Sequence, residues 1–306
     1  MSTSRLGDGV YPVLPTAFDA SGGLDLDSFR RLVGFVAETG AQGMLVLGVM
    51  GEAPKLLAGE RAAVIDAAVQ EAGGLPVVVG ATHPSVAGAR SLASAAARAG
   101  AAAVLIAPPR LDRAADDDAM VDYFAAVATG SELEIVLQDH PASSGVTLPA
   151  GMIARLASEV GAVTAVKLED PPTPQKVTVV RDRAPEGFKI FGGLGGVFLL
   201  EELRRGANGT MTGFAFPELL VEIHRAYAAG AERDAAETFF RCLPLIRFEF
   251  QEAIGVAIRK RIYRLRGVIA DDHVRAPSTP LDDVTAGELD ELAAFTGLSL
   301  APTAGR

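Results

Sequence analysis

The sequence predicts an α/β fold, a (β/α)8 TIM barrel followed by a C-terminal helical extension. Short apolar runs alternate with longer amphipathic segments, and eight such runs begin about 20 to 33 residues apart. Near-continuous apolar runs rich in Val, Leu and Ile are typical of parallel strands that are covered on both faces. A doubly wound open sheet is the alternative, but no G-x-G-x-x-G motif follows the first predicted strand.

The predicted elements follow one another in a regular order. The strands are predicted at 10–18, 43–48, 76–81, 102–109, 134–140, 162–169, 188–193 and 209–214. Barrel helices are predicted at 25–39, 58–72, 85–99, 116–129, 149–159, 173–183 and 195–205. Several of these helices begin at a capping residue or a proline, namely Asp25, Pro84, Pro149 and Pro172.

No further apolar run predicts a strand after residue 215. The helices predicted beyond this point are 216–229, 232–266 and 286–296, with a Pro-rich connector at 271–283. We therefore predict a barrel that carries the active site in residues 1–215 and a helical extension in residues 216–306.

Composition and charge exclude several classes of protein. The formal net charge of −10 and the pI near 5.0 argue against nucleic acid and anionic membranes as partners. The short basic run from Arg259 to Arg266 is interpreted as a solvated or subunit-facing helix surface. The sequence contains no apolar run of transmembrane length, and Cys242 is its only cysteine. These features predict a cytoplasmic enzyme that needs no structural metal.

Lys167 is the first candidate for chemistry. It lies in AVTAVKLED at the end of the sixth predicted strand, and barrel active sites lie at the carboxyl ends of the strands. Burial lowers the pKa of a lysine, and a neutral amine is the nucleophile that Schiff-base formation requires. A strand-end lysine that reaches water along its aliphatic stem is the alternative.

Glu169 lies two residues beyond Lys167, so the alternation of a strand places both side chains on the same face. A carboxylate at this position could transfer protons during catalysis. It could also act only as an ion-pair partner that keeps the amine charged. The sequence leaves both roles open.

Polar residues also end the third, fourth and fifth predicted strands. The fifth ends in Gln138, Asp139 and His140, of which Gln138 and His140 share a face. Asp139 is alternatively a residue that caps loop amides at the strand end. His83 follows the third strand and Arg110 follows the fourth. Four consecutive strands with a polar end indicate a site more strongly than any one of these residues does.

Two glycine-rich segments complete the predicted site. The loop GVMGEAP (48–54) follows the second strand, and its glycines allow backbone N–H groups to approach an anion. The segment GGLGG (192–196) could bind phosphate, or could give a carboxylate or sugar room to approach the backbone. The candidate substrate-binding residues in these loops and the eighth strand are Gly48, Val49, Met50, Gly51, Gly192 and Met211.

From about residue 8 to about residue 285, the chain resembles the dihydrodipicolinate synthase and N-acetylneuraminate lyase superfamily of class I aldolases. The resemblance rests on GVYPVLPTAFDASGGLD, the GxxGE loop at 48–52, AVTAVKLED, FGGLGG and GANGTMTGFAFPELL, in this order. It implies a barrel with three extra helices and a homotetramer or homodimer. It also implies a Schiff base between Lys167 and pyruvate or another 2-oxo acid, with no cofactor beyond this covalent adduct. The GxxGE loop would bind the substrate carboxylate.

The chain departs from the superfamily pattern at several positions. Val49 and Met50 stand where most members have two threonines or Ser and Thr. The segment 138–141 is Gln-Asp-His-Pro rather than Tyr-Asn-x-Pro, so the usual phenolic proton carrier is absent. Ser143 replaces the arginine of dihydrodipicolinate synthase, and Arg110 stands at the position of a subunit-crossing tyrosine. Dihydrodipicolinate synthase activity is therefore not expected.

The branch typified by 2-keto-3-deoxy-L-arabonate dehydratase is more similar at the Gln-Asp-x-Pro strand end, at Lys-x-Glu and at His83. This resemblance implies a lyase, either a dehydratase or an aldolase, acting on a 2-oxo-3-deoxy sugar acid. Lys167 would be the nucleophile, and Glu169 or His140 the proton carrier. Two alternatives remain: a condensing aldolase that uses pyruvate, and a non-catalytic protein that binds a small acid, because Gln138 cannot titrate near neutral pH.

Overall fold

A computed structural model describes residues 4–111 and 117–302 of the chain. Eight parallel strands form one sheet in the order β1-β8-β7-β6-β5-β4-β3-β2, and a parallel bridge between Val13 and Leu45 joins its two ends. The strands are β1 (Gly9–Pro12), β2 (Met44–Val46), β3 (Val77–Gly80), β4 (Ala103–Ile106), β5 (Glu134–Asp139), β6 (Val163–Leu168), β7 (Lys189–Gly192) and β8 (Gly209–Thr212). The predicted TIM barrel is confirmed, and the open-sheet alternative is wrong.

Helices alternate with these strands and then form the extension. They are α1 (Leu26–Glu38), α2 (Ala58–Glu71), α3 (Val86–Ala99), α4 (Asp117–Ala128), α5 (Pro141–Ser144), α6 (Ala150–Glu159), α7 (Thr173–Arg183), α8 (Leu199–Arg204), α9 (Pro217–Ala228), α10 (Glu232–Glu249), α11 (Gly255–Leu265) and α12 (Asp283–Thr296). The first residue of the helix predicted at 116–129 lies outside the described residues. In the described part of the chain, no helix is long and apolar enough to span a bilayer.

The helix α9 follows β8 and packs against β1, as the eighth helix of a barrel does. The predicted division between barrel and extension at residue 215 stays a prediction, but this packing joins α9 to the barrel. The helix predicted at 195–205 begins later, at Leu199, because residues 194–196 form a 3-10 turn in which Gly195 has a φ of 70°.

The barrel interior is apolar below the strand ends. Its buried side chains include Tyr11 and Phe191, whose rings meet edge to face at 5.2 Å, and Met211. A larger apolar cluster fills the layer between strands and helices. Polar side chains at the carboxyl ends of the strands therefore lie directly above a layer of apolar side chains, and charged groups there must be paired.

The prediction of one continuous helix at 232–266 is wrong. The helix α10 ends at Glu249 and α11 begins at Gly255, with Ala253 between them at a φ of 66°. A side chain at Gly255 would lie 2.5 Å from the carbonyl oxygen of Glu249, so the sharp turn needs glycine there. The break brings Glu249 next to Arg259, at 2.9 Å between Oε2 and Nε.

Three of the five basic residues between 259 and 266 are buried, whereas Arg261 is partly exposed and Arg264 is exposed. Arg259, Lys260 and Arg266 are 2%, 0% and 4% exposed, and each forms an ion pair with a carboxylate distant in sequence. Their respective partners are Glu249, Glu52 and Glu218. The predicted solvated surface is wrong for these three residues because one face of α11 turns inward, where the acidic partners come from other elements. The subunit-facing alternative stays a prediction for the exposed face. Long cationic side chains are buried only when they are paired in this way.

Candidate active site

A cavity of about 920 Å³ opens at the carboxyl ends of the strands. Its wall combines the ends of β5, β6 and β8 with the break between α10 and α11 and with the connector at 274–279. The predicted site residues that line it are Val49, Met50, Gln138, His140, Lys167 and Glu169. Residues from the predicted connector thus form part of a cavity wall.

Lys167, Glu169 and Gln138 form a buried cluster in this cavity. Gln138 is the register partner of Lys167 in the pairing of β5 with β6, so both side chains enter the barrel. Lys167 Nζ lies 3.1 Å from Glu169 Oε2, and Gln138 Nε2 donates to the same oxygen at 3.2 Å. The two ionisable side chains are 5% and 9% exposed. They lie on one face, as strand alternation predicts, and are close enough to exchange a proton directly.

Gly193 provides the space for Glu169. A β-carbon on Gly193 would collide with Glu169 Cγ and would lie 2.7 Å from Glu169 Cδ. The sequence predicts that the glycines after β7 let a ligand approach the backbone. It does not predict that Gly193 makes room for the side chain of Glu169. The repeated glycines of FGGLGG were the only sequence signal, since the contact joins the ends of two different strands.

His140 and Asp139 point in different directions. His140 lines the cavity, with Nδ1 2.7 Å from Ser143 Oγ. Asp139 faces outward, where its Oδ2 lies 2.6 Å from Lys176 Nζ on α7. Burial raises the pKa of the Asp139 carboxyl to about 6, although the Lys176 ammonium opposes this shift. Asp139 is therefore part of the barrel wall and lies outside the lining of the cavity.

The loop after β2 forms a tight turn in the wall of the cavity that Lys167 also lines. Val49–Gly51 is a 3-10 turn whose hydrogen bonds begin with Gly51 N–H, which donates to Gly48 O at 3.0 Å. The N–H groups of Val49 and Met50 precede that bond, so the turn itself does not use them. Gly51 lies behind the turn, where its carbonyl accepts a hydrogen bond from Thr16 Oγ1 at 2.6 Å.

Glu52 holds this loop in place. It is 3% exposed, and its two carboxylate oxygens lie 2.6 Å from Lys260 Nζ and 2.9 Å from Lys55 Nζ. Lys260 also donates to His273 O at 2.8 Å and lies 4.4 Å from the ring centroid of Phe18. The last residue of the GxxGE motif is thus a structural link between the loop, α11 and the connector.

His83, Arg110 and Gly48 line a second, smaller cavity of about 420 Å³. It adjoins the first, because Val49, Pro54, Gln138 and Ser143 line both. Arg110 is held by a hydrogen bond from Nε to Ser144 O at 3.0 Å. Arg110 and Lys167 therefore belong to neighbouring cavities, and the place of Arg110 in the substrate site stays a prediction.

Two other candidates lie outside the lining of both cavities. Met211 belongs to the apolar barrel interior. Gly192 faces outward, and a β-carbon there would collide with the carboxylate of Glu202 on α8. Glu202 is fully buried, accepts a hydrogen bond from Thr173 Oγ1 at 2.5 Å, and has its pKa raised to about 7 by burial. Gly192 therefore makes room for a buried carboxyl group.

The raised pKa of Glu202 predicts a pH-dependent stability. Because the folded-state pKa exceeds the ordinary value of 4.5, the stabilisation is complete below pH 4.5 and is lost as the pH rises through about 7. Glu202→Gln removes this titration. The free energy of unfolding of Glu202→Gln minus that of wild type should therefore increase by roughly 2 to 3 kcal/mol as the pH is raised from 5 to 8. Urea denaturation across this range measures it, with exposed Glu186→Gln as the control. Parallel pH profiles for Glu202→Gln and wild type would contradict the prediction.

The far wall of the main cavity comes from residues that the sequence did not single out. Thr212 ends β8 and Gly213 follows it, and Phe250 and Arg259 come from the two sides of the α10–α11 break. Arg259 was assigned to a surface because the break was not foreseen. Its partner Glu249 also accepts a hydrogen bond from the N–H of Ala215 at 3.0 Å.

Comparison with known proteins identifies the family. The sequence model of the dihydrodipicolinate synthetase family matches residues 7–294. The chain belongs to this family. The residues that form the barrel, the main cavity and the break between α10 and α11 all lie within the matched region.

The relatives in this family include a dehydratase, an aldolase and a synthase. The chain is 33% identical to L-2-keto-3-deoxyarabonate dehydratase of Azospirillum brasilense, with 92% of each chain covered. It is 34% identical to L-threo-3-deoxy-hexylosonate aldolase of Hypocrea jecorina, over 79% of this chain and 82% of the relative. The crystal structure of dihydrodipicolinate synthase from Rhodopseudomonas palustris superposes with a TM-score of 0.90 at 35% identity, covering 95% and 98% of the two chains. The chain is an enzyme of the lyase class, as the members of this family are.

Proposed function

We propose that this protein is a Schiff-base-forming lyase that dehydrates or cleaves a 2-oxo-3-deoxy sugar acid, with Lys167 as the nucleophile. The observation that carries the proposal is the 3.1 Å contact between Lys167 Nζ and Glu169 Oε2 inside a cavity of about 920 Å³. A buried amine beside a carboxylate that can accept its proton is the arrangement that nucleophilic attack on a carbonyl requires.

Formation of the covalent intermediate uses this pair directly. Glu169 accepts a proton from the Lys167 ammonium, and the neutral amine attacks C2 of the 2-oxo acid. The carbonyl oxygen then leaves as water, with one proton transferred from the attacking nitrogen and the other returned by Glu169, which gives a protonated imine with a single N–H at C2. The N–H groups of Val49 and Met50, which the 3-10 turn does not use, would bind the C1 carboxylate, as the family resemblance implies.

The second half of the reaction uses the imine as an electron sink. Removal of a C3 proton by Glu169 gives an enamine, and loss of the C4 hydroxyl with that proton completes dehydration. If Glu169 instead takes the proton of the C4 hydroxyl, the C3–C4 bond breaks and an aldehyde is released. Gln138 donates to the oxygen of Glu169 that faces Lys167, so it positions the carboxylate for both steps.

Two features favour a sugar acid over the substrates of a synthase. The phenol expected at the end of β5 is replaced by Gln138, and Ser143 stands where dihydrodipicolinate synthase has an arginine. The cavity is larger than pyruvate alone requires. Two relatives named as acting on 3-deoxy sugar acids match the chain at 33% and 34% identity, which is similar to the 35% of the dihydrodipicolinate synthase structure.

A panel of substrates tests the proposal. The enzyme is incubated with 2-oxo-3-deoxy pentonic and hexonic acids of both C4 configurations, and separately with pyruvate and aspartate semialdehyde. We expect turnover of at least one sugar acid, detected by NMR as a dehydrated semialdehyde or as pyruvate plus an aldehyde. If the enzyme condensed pyruvate with aspartate semialdehyde and turned over none of the sugar acids, it would be a condensing aldolase, and the proposal would be wrong. Thermal stabilisation by the acids without any turnover would indicate a non-catalytic binding protein.

The same family resemblance implies an oligomeric state and a cofactor requirement for this enzyme, and its composition suggests a cellular location. We propose a cytoplasmic homotetramer or homodimer that uses no cofactor other than the covalent adduct on Lys167. The net charge of −10 supports the absence of nucleic-acid and membrane partners. Light scattering of the purified protein tests the assembly.

A further inference from the structure

Arg259 is a buried cation in the wall of the main cavity. It lies on α11 and is 2% exposed. Its Nε lies 2.9 Å from Glu249 Oε2, and its Nη2 donates to Glu249 O at 3.3 Å. Two of the three guanidinium nitrogens are thus bound to one residue, which fixes the plane of the group.

The third nitrogen of Arg259 is left without a partner. Within residues 4–111 and 117–302, Nη1 is buried and has no hydrogen-bond acceptor. A buried donor without an acceptor is unfavourable, and such atoms in native proteins call for an explanation. An oxygen of a bound ligand would supply the missing acceptor.

Gly213 lies directly against the guanidinium group of Arg259. A β-carbon at Gly213 would lie 2.8 Å from Arg259 Nη1, and Gly213 itself lines the cavity. Gly213 directly follows Thr212 at the end of β8, whereas Gln138 and His140 lie on β5 and just beyond it. Arg259 therefore faces the cavity from the β8 side, away from the polar end of β5.

The charge of the cavity indicates what kind of oxygen fits there. Its acidic lining residues are Glu52, Glu169, Glu249 and Glu252, and its basic ones are Lys55, Lys167 and Arg259. The charge of Arg259 is already balanced by Glu249 at 2.9 Å. A second anionic group in the ligand would find no free positive charge here, whereas a hydroxyl oxygen needs only a donor.

We propose that Arg259 Nη1 donates a hydrogen bond to a hydroxyl group of the substrate beyond C4, and that Arg259 thereby selects polyhydroxylated 2-oxo acids over shorter ones. This inference rests on the proposed function, because the substrate is placed by its covalent link to Lys167. Arg259 is a specificity-determining residue in this account and takes no part in bond making.

The test uses Arg259→Lys, which keeps a positive charge for Glu249 but loses the forked donor. Its two substrates are 2-oxo-3-deoxy-pentonic acid and 4-hydroxy-2-oxopentanoate, which lacks only the C5 hydroxyl. Wild type should prefer the first in kcat/KM, and Arg259→Lys should lose about 10- to 100-fold on it, the effect of one charge-assisted hydrogen bond. The variant should lose little on the shorter acid, and borohydride trapping of pyruvate on Lys167 should be unchanged.

Two further variants separate recognition from structure. Gly213→Ala keeps both Arg259 and Glu249 but sets a β-carbon 2.8 Å from Nη1 and 2.9 Å from Cζ, so the guanidinium must shift and the same selective loss should follow. Arg266→Lys changes another buried arginine of α11, which pairs with Glu218 and does not line the cavity, so it should leave the substrate preference unchanged. Thermal melts of all three variants accompany the kinetics.

Each outcome decides the inference. Equal losses on both substrates, no loss on either, or unfolding of Arg259→Lys and Gly213→Ala while Arg266→Lys stays folded would assign Arg259 to structure alone. If pyruvate is trapped on Lys167 in every variant without the selective loss, only the role of Arg259 fails. If wild type traps no 2-oxo acid at all, the proposed function fails, and the inference fails with it.

Discussion

Lys167→Arg should abolish turnover, with a fall in kcat on the order of 10⁵-fold. Arginine keeps a positive charge beside Glu169, so the buried carboxylate retains its partner. A guanidinium cannot lose its proton in a protein and therefore cannot attack a carbonyl. Steady-state assays with the sugar acid from the substrate panel measure the effect, and a thermal melt shows whether the barrel remains folded.

Lys189→Arg is the matched control for this variant. Lys189 is also a strand lysine, on β7, but it lies outside the cavity lining and pairs with Asp8 at 2.6 Å. Its replacement should leave kcat within about twofold of wild type, as surface changes far from chemistry do. If Lys167→Arg retained a large part of the wild-type rate in a folded protein, another group would have to be the nucleophile.

Glu169→Gln should lower kcat by roughly 10²- to 10⁴-fold, the usual contribution of a positioned acid–base group. The amide keeps the shape that Gly193 accommodates but cannot accept a proton. The adduct between pyruvate and Lys167 should still form, though more slowly, because water can take over the proton transfers that Glu169 makes during adduct formation. Comparison of kcat with the rate of borohydride inactivation separates proton transfer from nucleophilic attack.

His140→Asn is the comparison for Glu169→Gln. His140 lines the same cavity but is linked to Ser143 rather than to Lys167. Its replacement should reduce kcat much less than Glu169→Gln does. The reverse ranking would transfer the proton-carrier role to His140, and two mild effects would indicate that a water molecule carries the proton.

Local sequence patterns predicted the barrel and the Lys167 pair because both depend on short-range periodicity. Apolar runs define the strands, and the two-residue period of β6 is enough to place Lys167 and Glu169 on one face. The same reasoning placed Gln138 at the end of β5, and the register of the two strands brings it to Glu169.

The rest of the site depends on contacts between distant segments, which no local pattern contains. The basic run at 259–266 is amphipathic in the helical sense, but its buried face is recognisable only when Glu52, Glu218 and Glu249 are seen opposite it. The break before Gly255 is likewise fixed by a close approach to the carbonyl of Glu249. The cavity wall that contains Arg259 could therefore not be predicted from the sequence.

Borohydride trapping tests the central claim most directly. The wild-type enzyme is incubated with saturating pyruvate or 2-oxo-3-deoxy sugar acid, reduced with borohydride, and analysed by intact mass and by peptide mapping. We predict one reduced adduct per chain, located on the peptide that contains Lys167, and no adduct in Lys167→Arg. An unmodified Lys167 under saturating substrate, or an adduct on another lysine, would contradict the account.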